Sequence, residues 1–351
     1  MADTEFGVNH ALAVKLWSKK LFQEVLKETW LSRFMGESDS NVIQVLNDTS
    51  KGAGDRVTYG LRVLLNGAGV EGDNTLEGNE EALSFYNDSF YINQLRHATR
   101  SNGKMSEQRV PYGVREESMN ALKDWWADRI DTALFNQLAG NTGQTDTRYT
   151  GHNATIAPDA SHTYFANGNS TEAAVASATA SNVMKLKFLD YAKERIKLLS
   201  PSIRPIKVDG KDFYVCFLHP YQVTDLRTDA STAGNWFDIQ KAALQGGKIT
   251  DNPIFTGALG VYNGIILHES TRIPSLVAGA YRSILCGAQA AVIGYGQGFS
   301  SGKMDWHEET FDHGNKLAVS SAKIWGAKKC VFNSADFGVF NIITSAQQHT
   351  T

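Results

Sequence analysis

Two stretches of sequence decide how this chain is organised: residues 56–65, RVTYGLRVLL, and residues 83–95, LSFYNDSFYINQL. Both are rich in valine, aromatic residues and leucine, a composition that favours β-strands. The residues between them, 66–78, include four glycines and are typical of a mobile loop tip. The pattern predicts a long hairpin arm over 50–100. A ten-residue strand spans about 33 Å, and an isolated two-stranded hairpin is marginally stable in water. We therefore expect something outside the arm to cover it.

The hairpin arm is also one-sided in charge, because no Lys or Arg falls between Arg62 and Arg96. The acidic residues of this interval are Glu71, Asp73, Glu77, Glu80, Glu81 and Asp88. A solvated acidic loop explains the pattern. The sharper hypothesis is that the arm lies on a basic surface of another copy of the chain. Candidates for that surface are Lys15, Lys19, Lys20, Arg100, Lys104 and Arg109.

Residues 9–34 predict an amphipathic helix that ends at Gly36, with Trp17 and Leu21 on its apolar face. Its apolar face can pack on the chain's own core or on a neighbour, and the sequence favours neither. The residues that we expect to contact a neighbouring copy are Trp17, Leu21, Glu71, Asp73, Glu77, Glu80, Glu81, Lys104 and Arg109.

A second helix is predicted over 114–139, where apolar residues form one stripe and Glu116 and Glu117 occupy the first turn. Gly140 ends this helix, which is about 40 Å long at 1.5 Å per residue. Residues 140–182 are dominated by Gly, Asn, Thr, Ser and Ala. We interpret them as an extended surface insertion and the main domain boundary.

From residue 183 the pattern is a globular mixture of helices and strands. A basic helix is predicted to run to about Leu199. Residues 206–208 and 213–218 flank Asp209-Gly210 and predict a hairpin. His219-Pro220 opens a further helix, with proline at its first position. Apolar stretches between 264 and 343 predict more strands, so the fold class is α+β.

Composition bounds the possible functions. The 34 Lys and Arg and 37 Asp and Glu leave a net charge of −3, which does not indicate tight phosphate binding. Three widely spaced cysteines predict reduced thiols made in a cytosol. The first residues, MADTEF, lack the pattern of a secretory signal. The longest apolar run, 284–295, is too short to cross a bilayer, so we expect no membrane contact.

No catalytic, cofactor or metal motif has both the required residues and the required spacing. Residues 294–303, GYGQGFSSGK, lack the first glycine of a phosphate loop and are followed by Met304. His307 and His313 are too far apart for a zinc-binding helix, and the Cys216-x-x-His219 pair has no second pair. We therefore expect a protein that is not an enzyme and that holds no cofactor.

Five short sequence stretches, taken in their order along the chain, indicate a family. They are KGAGDRVTY at 51–59, LEGNEEAL at 76–83, FLHPYQVTDL at 217–226, NPIFTGALGVYN at 252–263 and GAQAAVIGYG at 287–296. Together they resemble the major capsid protein family of N4-like tailed bacteriophages, over about residues 5 to 345.

The resemblance implies the Hong Kong 97-type capsid fold. Residues 1–49 would be the N-terminal arm and 50–100 the extended E-loop. Residues 101–182 would be the peripheral domain, with its spine helix at 114–139 and a polar insertion at 140–182. Residues 183–300 would be the axial domain, and 301–351 would supply strands that return to both domains.

The resemblance also implies a function: pentamers and hexamers of the chain form the icosahedral shell of a virion around double-stranded DNA. No coiled coil precedes residue 9, which predicts a separate scaffolding protein; the portal and decoration proteins are further expected partners. We identify no lysine and asparagine pair for crosslinking and expect non-covalent assembly. The basic helix at 183–199 could face the DNA.

Two other functions fit parts of the sequence. An encapsulin-like compartment has the same fold but encloses cargo proteins instead of a genome. An enzyme with a mobile lid at 50–100 or 140–182 would form a discrete small oligomer with a deep polar pocket. Nothing in the spacing of polar residues favours that enzyme.

Overall fold

The computed structural model of the chain describes residues 29–46, 54–109, 113–177, 181–208, 210–228, 258–296, 299 and 305–348. Most of the N-terminal helix predicted over 9–34, with its contact candidates Trp17 and Leu21, lies outside these residues.

The described residues form a mixed α and β fold. The strands are β1 (Met35–Gly36), β2 (Ile43–Leu46), β3 (Arg56–Arg62), β4 (Phe85–Tyr91), β5 (Asn93–Arg100), β6 (Thr163–Phe165), β7 (Ile206–Val208), β8 (Lys211–Leu218), β9 (Gly260–Tyr262), β10 (Ile265–Glu269), β11 (Ala280–Cys286), β12 (Ala291–Tyr295), β13 (Asp305–Phe311), β14 (Lys316–Lys329), β15 (Val331–Phe332), β16 (Ala335–Asp336) and β17 (Val339–Ser345). The α-helices are α1 (Lys104–Gln108), α2 (Val114–Ala139), α3 (Glu172–Ser177), α4 (Leu186–Leu198) and α5 (Pro220–Thr228), and short 3-10 helices lie at Trp30–Phe34, Thr147–Tyr149, Ala160–His162 and Ala166–Gly168.

The first sheet has the strand order β1-β2-β12-β14-β13, with β5 paired along β14. Helix α2 crosses one face of this sheet and buries Leu122, Trp126 and Ile130. The indole Nε1 of Trp126 donates a hydrogen bond to Ser321 Oγ at 2.7 Å and so ties the helix to β14. This packing explains the apolar stripe that predicted the helix.

The second sheet has the strand order β6-β17-β11-β8-β10-β9, with β7 paired to β8. The hairpin predicted around residues 209–210 is confirmed, because Ile206 pairs with Phe213 in the β7–β8 ladder. Helix α5 begins at Pro220 as predicted. One face of the sheet packs on α4, and the other packs on the C-terminal half of α2, where Phe135 meets Phe217. Helix α2 therefore bridges the two sheets.

The hairpin arm predicted over 50–100 contains an antiparallel ladder in which β3 pairs with β4, from Arg56↔Tyr91 to Arg62↔Phe85. The return strand is divided at Ile92. Its first part, β4, stays with β3, and its second part, β5, joins β14 of the first sheet. The paired length of the hairpin is therefore shorter than the sequence pattern suggested.

Two expectations about the rest of the chain are wrong. The helix predicted to reach residue 34 does not continue through Thr29, which is extended, and Trp30–Phe34 is a 3-10 helix. Its first amides bond to the Asp131 carboxylate instead of to helical carbonyls. The segment 140–182 is not an extended surface insertion. Asn153 and His162 are buried in it, and β6 extends the second sheet by pairing with β17.

None of the helices described in the structure is both long and apolar enough to span a bilayer.

Candidate assembly surface

The tip of the hairpin arm (residues 63–84) is exposed to solvent along almost its whole length. The bond from Val63 N to Ser84 O, 3.0 Å long, closes its base, and no strand is formed beyond it. The large apolar side chains exposed in and beside the tip are Leu64 (77%), Leu65 (58%), Leu76 (61%), Leu83 (56%) and Phe85 (65%). Large apolar side chains that are exposed together in one segment are typical of an interaction surface.

The base of the hairpin arm, in contrast, is held firmly to the body. Val57 and Phe90 are buried against Val292, Cys330 and Phe332. Asp88 accepts hydrogen bonds from Tyr59 OH at 2.6 Å and forms an ion pair with Lys328 Nζ at 2.5 Å. The base is therefore part of the folded subunit, whereas the tip projects from it.

The acidic contact candidates of the tip separate into two groups. Glu71, Asp73 and Glu77 are exposed, and within the described part of the chain they form no ion pair. Glu80 and Glu81, in contrast, accept hydrogen bonds from backbone amides of the tip, and these bonds shape the loop. Glu80 accepts from Gly78 N at 2.7 Å.

Glu81 is the more engaged of the two. Its carboxylate accepts from Asn66 N at 2.9 Å and from Gly67 N at 2.6 Å. These amide bonds lower the pKa of Glu81 below its ordinary value. The charge of Glu81 therefore has a role inside the tip, which the sequence did not reveal.

The basic contact candidates of the body lie beside β5. Lys104 begins the short helix α1 and Arg109 follows its end, and both side chains are exposed. Arg100, at the end of β5, stacks over the ring of Phe311 at 4.5 Å. Within the described residues these cations make no ion pair with the tip of their own chain. Their charge is therefore available to a different molecule.

Asp131 joins the N-terminal segment to helix α2. Its carboxylate accepts hydrogen bonds from Trp30 N at 3.0 Å and Leu31 N at 3.1 Å, and Arg272 Nη1 lies 3.3 Å away. Burial raises the pKa of Asp131 to about 6, although these backbone bonds and the Arg272 charge oppose the shift. Leu31 and Phe34 are buried in the main core. Residues 29–34 of the N-terminal segment are therefore packed on the core of their own chain.

The residues considered for chemistry do not form a reactive site. His307 and His313 are exposed on β13 and in the turn after it, and Cys216 is buried in β8. Burial raises the pKa of the Cys216 thiol, which makes it a poor nucleophile. Among the residues that the structure describes, no cluster of three His, Cys, Asp or Glu side chains could hold a metal ion.

Sequence reasoning missed three polar residues that organise this surface: Asp88, Asp131 and Asn153. Asp131 carried one signal, because it lies three residues before Leu134 and seven before Leu138 and so falls on the buried stripe of α2. Two carboxylates on one helix, such as Asp128 and Asp131, usually lie on a solvated edge, but Asp131 is buried. Asp88 and Asn153 carried no comparable signal, because their partners are distant in sequence.

Comparison with known proteins assigns the class. Residues 5–348 match the family described as phage capsid protein. The major capsid protein of Pseudomonas phage KPP25 shares 28% identity over 373 aligned residues, which cover 94% of each chain. The capsid of Ralstonia phage GP4 matches with a TM-score of 0.81 and 34% identity over 100% of both chains. The capsid of cyanophage Pam1 has a TM-score of 0.72 at 22% identity, over 99% of both chains, and supports the fold.

The chain belongs to the phage capsid protein family. It is the major capsid protein of a tailed phage, a structural protein and not an enzyme, and it assembles with copies of itself into the capsid shell of the virion. The compartment shell and the lidded enzyme are not favoured.

Proposed function

We propose that the chain has the Hong Kong 97-type architecture of the N4-like phages and tiles an icosahedral shell as pentamers and hexamers around double-stranded DNA. The observation that carries this proposal is the hairpin arm, whose base is anchored while its leucine-rich tip lies in solvent. Exposed apolar side chains of this kind mark a surface that a partner covers. In a closed shell, every copy has a neighbour that supplies the cover.

Most elements fit the domain assignment of this proposal, whereas β6 lies in the second sheet and β12 in the first and so cross its boundaries. Residues 50–100 act as the E-loop and 1–49 as the N-terminal arm. Helix α2 is the spine of a peripheral domain, 101–182, and the second sheet is the core of an axial domain, 183–300. Strands from 301–351 return to both, since β14 lies in the first sheet and β17 in the second.

The contact between neighbours has an electrostatic part. The exposed carboxylates of the tip, Glu71, Asp73 and Glu77, meet a basic surface of the next copy that includes Lys104 and Arg109. Contacts between exposed charges are weak one by one and are screened by salt. Their main effect is on the rate and register of association.

Charge reversal tests this contact. With Glu71 and Asp73 changed to Lys, we expect slower assembly at low salt, and the difference from wild type should shrink as salt is added. The measurement is light scattering against salt concentration. Glu269→Lys with Asp212→Lys makes the same charge change on exposed residues away from the arm. Equal effects of the two pairs would contradict the assigned contact.

The packaged genome is the second expected partner. Helix α4 presents Lys187 and Lys197 to solvent, whereas Lys193 bonds to Asn263 and Arg195 stacks on Tyr164. The contact with DNA is non-specific and light, in keeping with the net charge of −3. A separate scaffolding protein, the portal and decoration proteins complete the partners, and synthesis takes place in the cytoplasm of the bacterial host.

A further inference from the structure

The direction of the hairpin arm is set where its base meets the body, and polar contacts are concentrated there. Asp88 and Tyr59 face each other in the β3–β4 ladder, and Tyr59 OH donates to Asp88 Oδ2. Lys328 Nζ, from β14, pairs with Asp88 Oδ1 at 2.5 Å and donates to Ser89 O at 2.9 Å. Val331 N also donates to Asp88 Oδ2, at 3.3 Å. Asp88 therefore receives bonds from the opposite hairpin strand and from the body.

This network is largely shielded from water. The Asp88 and Lys328 side chains are 11% and 14% exposed, so their attraction is screened less than that of a surface pair. Burial raises the pKa of Tyr59, so its hydroxyl keeps its proton and acts as the donor to Asp88. Removing one charge from a shielded pair leaves the other without compensation.

Apolar packing at the base of the arm, where Val57 and Phe90 meet Val292 and Phe332, is incomplete, because a partly open pocket of about 190 Å³ lies beside it. Its apolar lining includes Tyr59 and Leu61 from the arm and Val292, Phe332 and Phe337 from the body. Interiors are normally close-packed, so side chains that line a pocket on one side restrain a tilt of the arm less than a filled core would. The polar contacts of Asp88 therefore have to resist that tilt.

A second attachment lies three residues further along β4. Asn153 accepts a hydrogen bond from Tyr91 N at 2.7 Å and donates to Tyr91 O at 2.9 Å and to Ala327 O at 3.1 Å. A strand attached to the body at one point can rotate about that point, whereas the two attachments of β4, at Asp88 and at Tyr91, define the direction of the arm. Three residues of strand span about 10 Å, so a shift of Asp88 relative to Tyr91 is amplified at the tip, which lies further along the arm.

We propose that Asp88, clamped by Lys328 and Tyr59, is the positioning residue that sets the direction of the hairpin arm and so brings its tip to the neighbouring copy in register. The consequence for assembly rests on the proposed function, whereas the direction of the arm is a property of the single subunit. The two can therefore fail separately.

The test measures the direction of the arm in full-length, unassembled subunits. Spin labels at Leu76→Cys in the tip and Glu309→Cys on β13 report the distance between arm and body by pulsed electron resonance. The three native cysteines are buried, so labelling is selective. Lys328→Gln and Asp88→Asn should broaden the distance distribution and shift its mean, whereas Lys328→Arg, which keeps the cation, should preserve the wild-type distribution.

Asp146→Asn is the matched control, because it removes a carboxylate from an ion pair with Arg148 that is more exposed than the Asp88–Lys328 pair, and the hydrogen bonds of Asp146 lie within residues 144–149. Circular dichroism verifies that each variant is folded; should Asp88→Asn fail to fold, the Lys328→Gln and Lys328→Arg pair decides. An unchanged distribution in Lys328→Gln, or equal broadening in Asp146→Asn, overturns the proposal. Electron microscopy of the same variants then shows whether a misdirected arm produces open or misshapen particles, which tests the assembly role separately.

Discussion

The carboxylate of Asp131 lies where three parts of the chain meet. It is on helix α2, it accepts two backbone amides from the N-terminal segment, and it faces Arg272, which also pairs with Asp128 at 3.0 Å. Arg33 of the N-terminal segment adds a further positive charge near it. The two backbone bonds of Asp131 cap the start of the 3-10 helix Trp30–Phe34, whose first amides have no partner within that helix.

This carboxylate predicts a specific pH dependence. The folded pKa of Asp131, about 6, lies above its ordinary value of 3.8 because of burial. The folded subunit therefore holds this proton more tightly than the unfolded chain, and the associated stability is fully present below pH ~4 and is lost as pH rises through 6. Two pKa units correspond to roughly 3 kcal/mol.

Asp131→Asn removes that titration. The free energy of unfolding of wild type minus that of the variant should fall by roughly 3 kcal/mol between pH 4 and pH 7. Denaturant unfolding of unassembled subunits at several pH values measures it. Parallel pH profiles for the two proteins would show that Asp131 does not titrate as described.

Gly326 is a second residue with a local physical requirement. A Cβ at this position would collide with the carbonyl oxygen of Tyr91, where the hairpin arm joins β14. Gly326→Ala should therefore force β14 and the base of the arm apart, at a cost of about 1–3 kcal/mol in the free energy of unfolding.

Gly60→Ala provides the matched control, because the only close neighbour of its new Cβ would be Tyr86 O at an ordinary 3.8 Å. Thermal unfolding compares the two variants with wild type. A Gly326→Ala protein as stable as Gly60→Ala would mean that the arm and β14 are not packed this closely.

At the scale of elements, the hairpin arm combines two opposite properties. Its base shares a core with β12, β14 and β15, and its tip holds side chains that a folded subunit would normally bury. Burying a leucine side chain contributes about 1.5–3 kcal/mol. A neighbour that covers several of them gains most of the energy that a subunit contact needs.

The substitution Leu64→Ser tests how much one leucine of the tip contributes to the contact between copies. Because Leu64 is 77% exposed in the subunit, the substitution should leave subunit stability nearly unchanged and raise the protein concentration needed for assembly roughly tenfold or more. Sedimentation against protein concentration measures the threshold.

Leu198→Ser, at a leucine that is 76% exposed on α4, is the matched control and should have the smaller effect. If both variants assemble at the wild-type concentration, the tip is not buried by a neighbour.

Several helices and strands could be predicted from the sequence, whereas the contacts between distant segments could not. Helix α2 was predictable with the bounds 114–139, because its apolar stripe and Gly140 are local signals. The β7–β8 hairpin and the Pro220 helix start were predictable for the same reason. The division of the return strand at Ile92 was not, because it depends on β14, more than 200 residues later in the chain. The role of Asp88 was not predictable either, because its partners Lys328 and Val331 are distant in sequence. In the sequence alone, Asp88 is one of six acidic residues between Arg62 and Arg96.

At the scale of the whole molecule, helix α2 bridges two sheets, and the C-terminal strands contribute to both. The main core cluster thus spans both sheets, and the base of the hairpin arm packs in a smaller cluster of its own. A rigid body with an arm that needs outside cover is suited to repeated contacts between identical copies. The family membership and this architecture agree on a shell subunit.

Electron microscopy of the purified full-length chain, expressed alone and with a scaffolding partner, tests the central claim most directly. We predict closed shells or free pentamers and hexamers, in which density for the tip of each hairpin arm lies on an adjacent copy. A chain that remains a compact monomer under all assembly conditions, or shells in which the tips remain in solvent, would contradict the account.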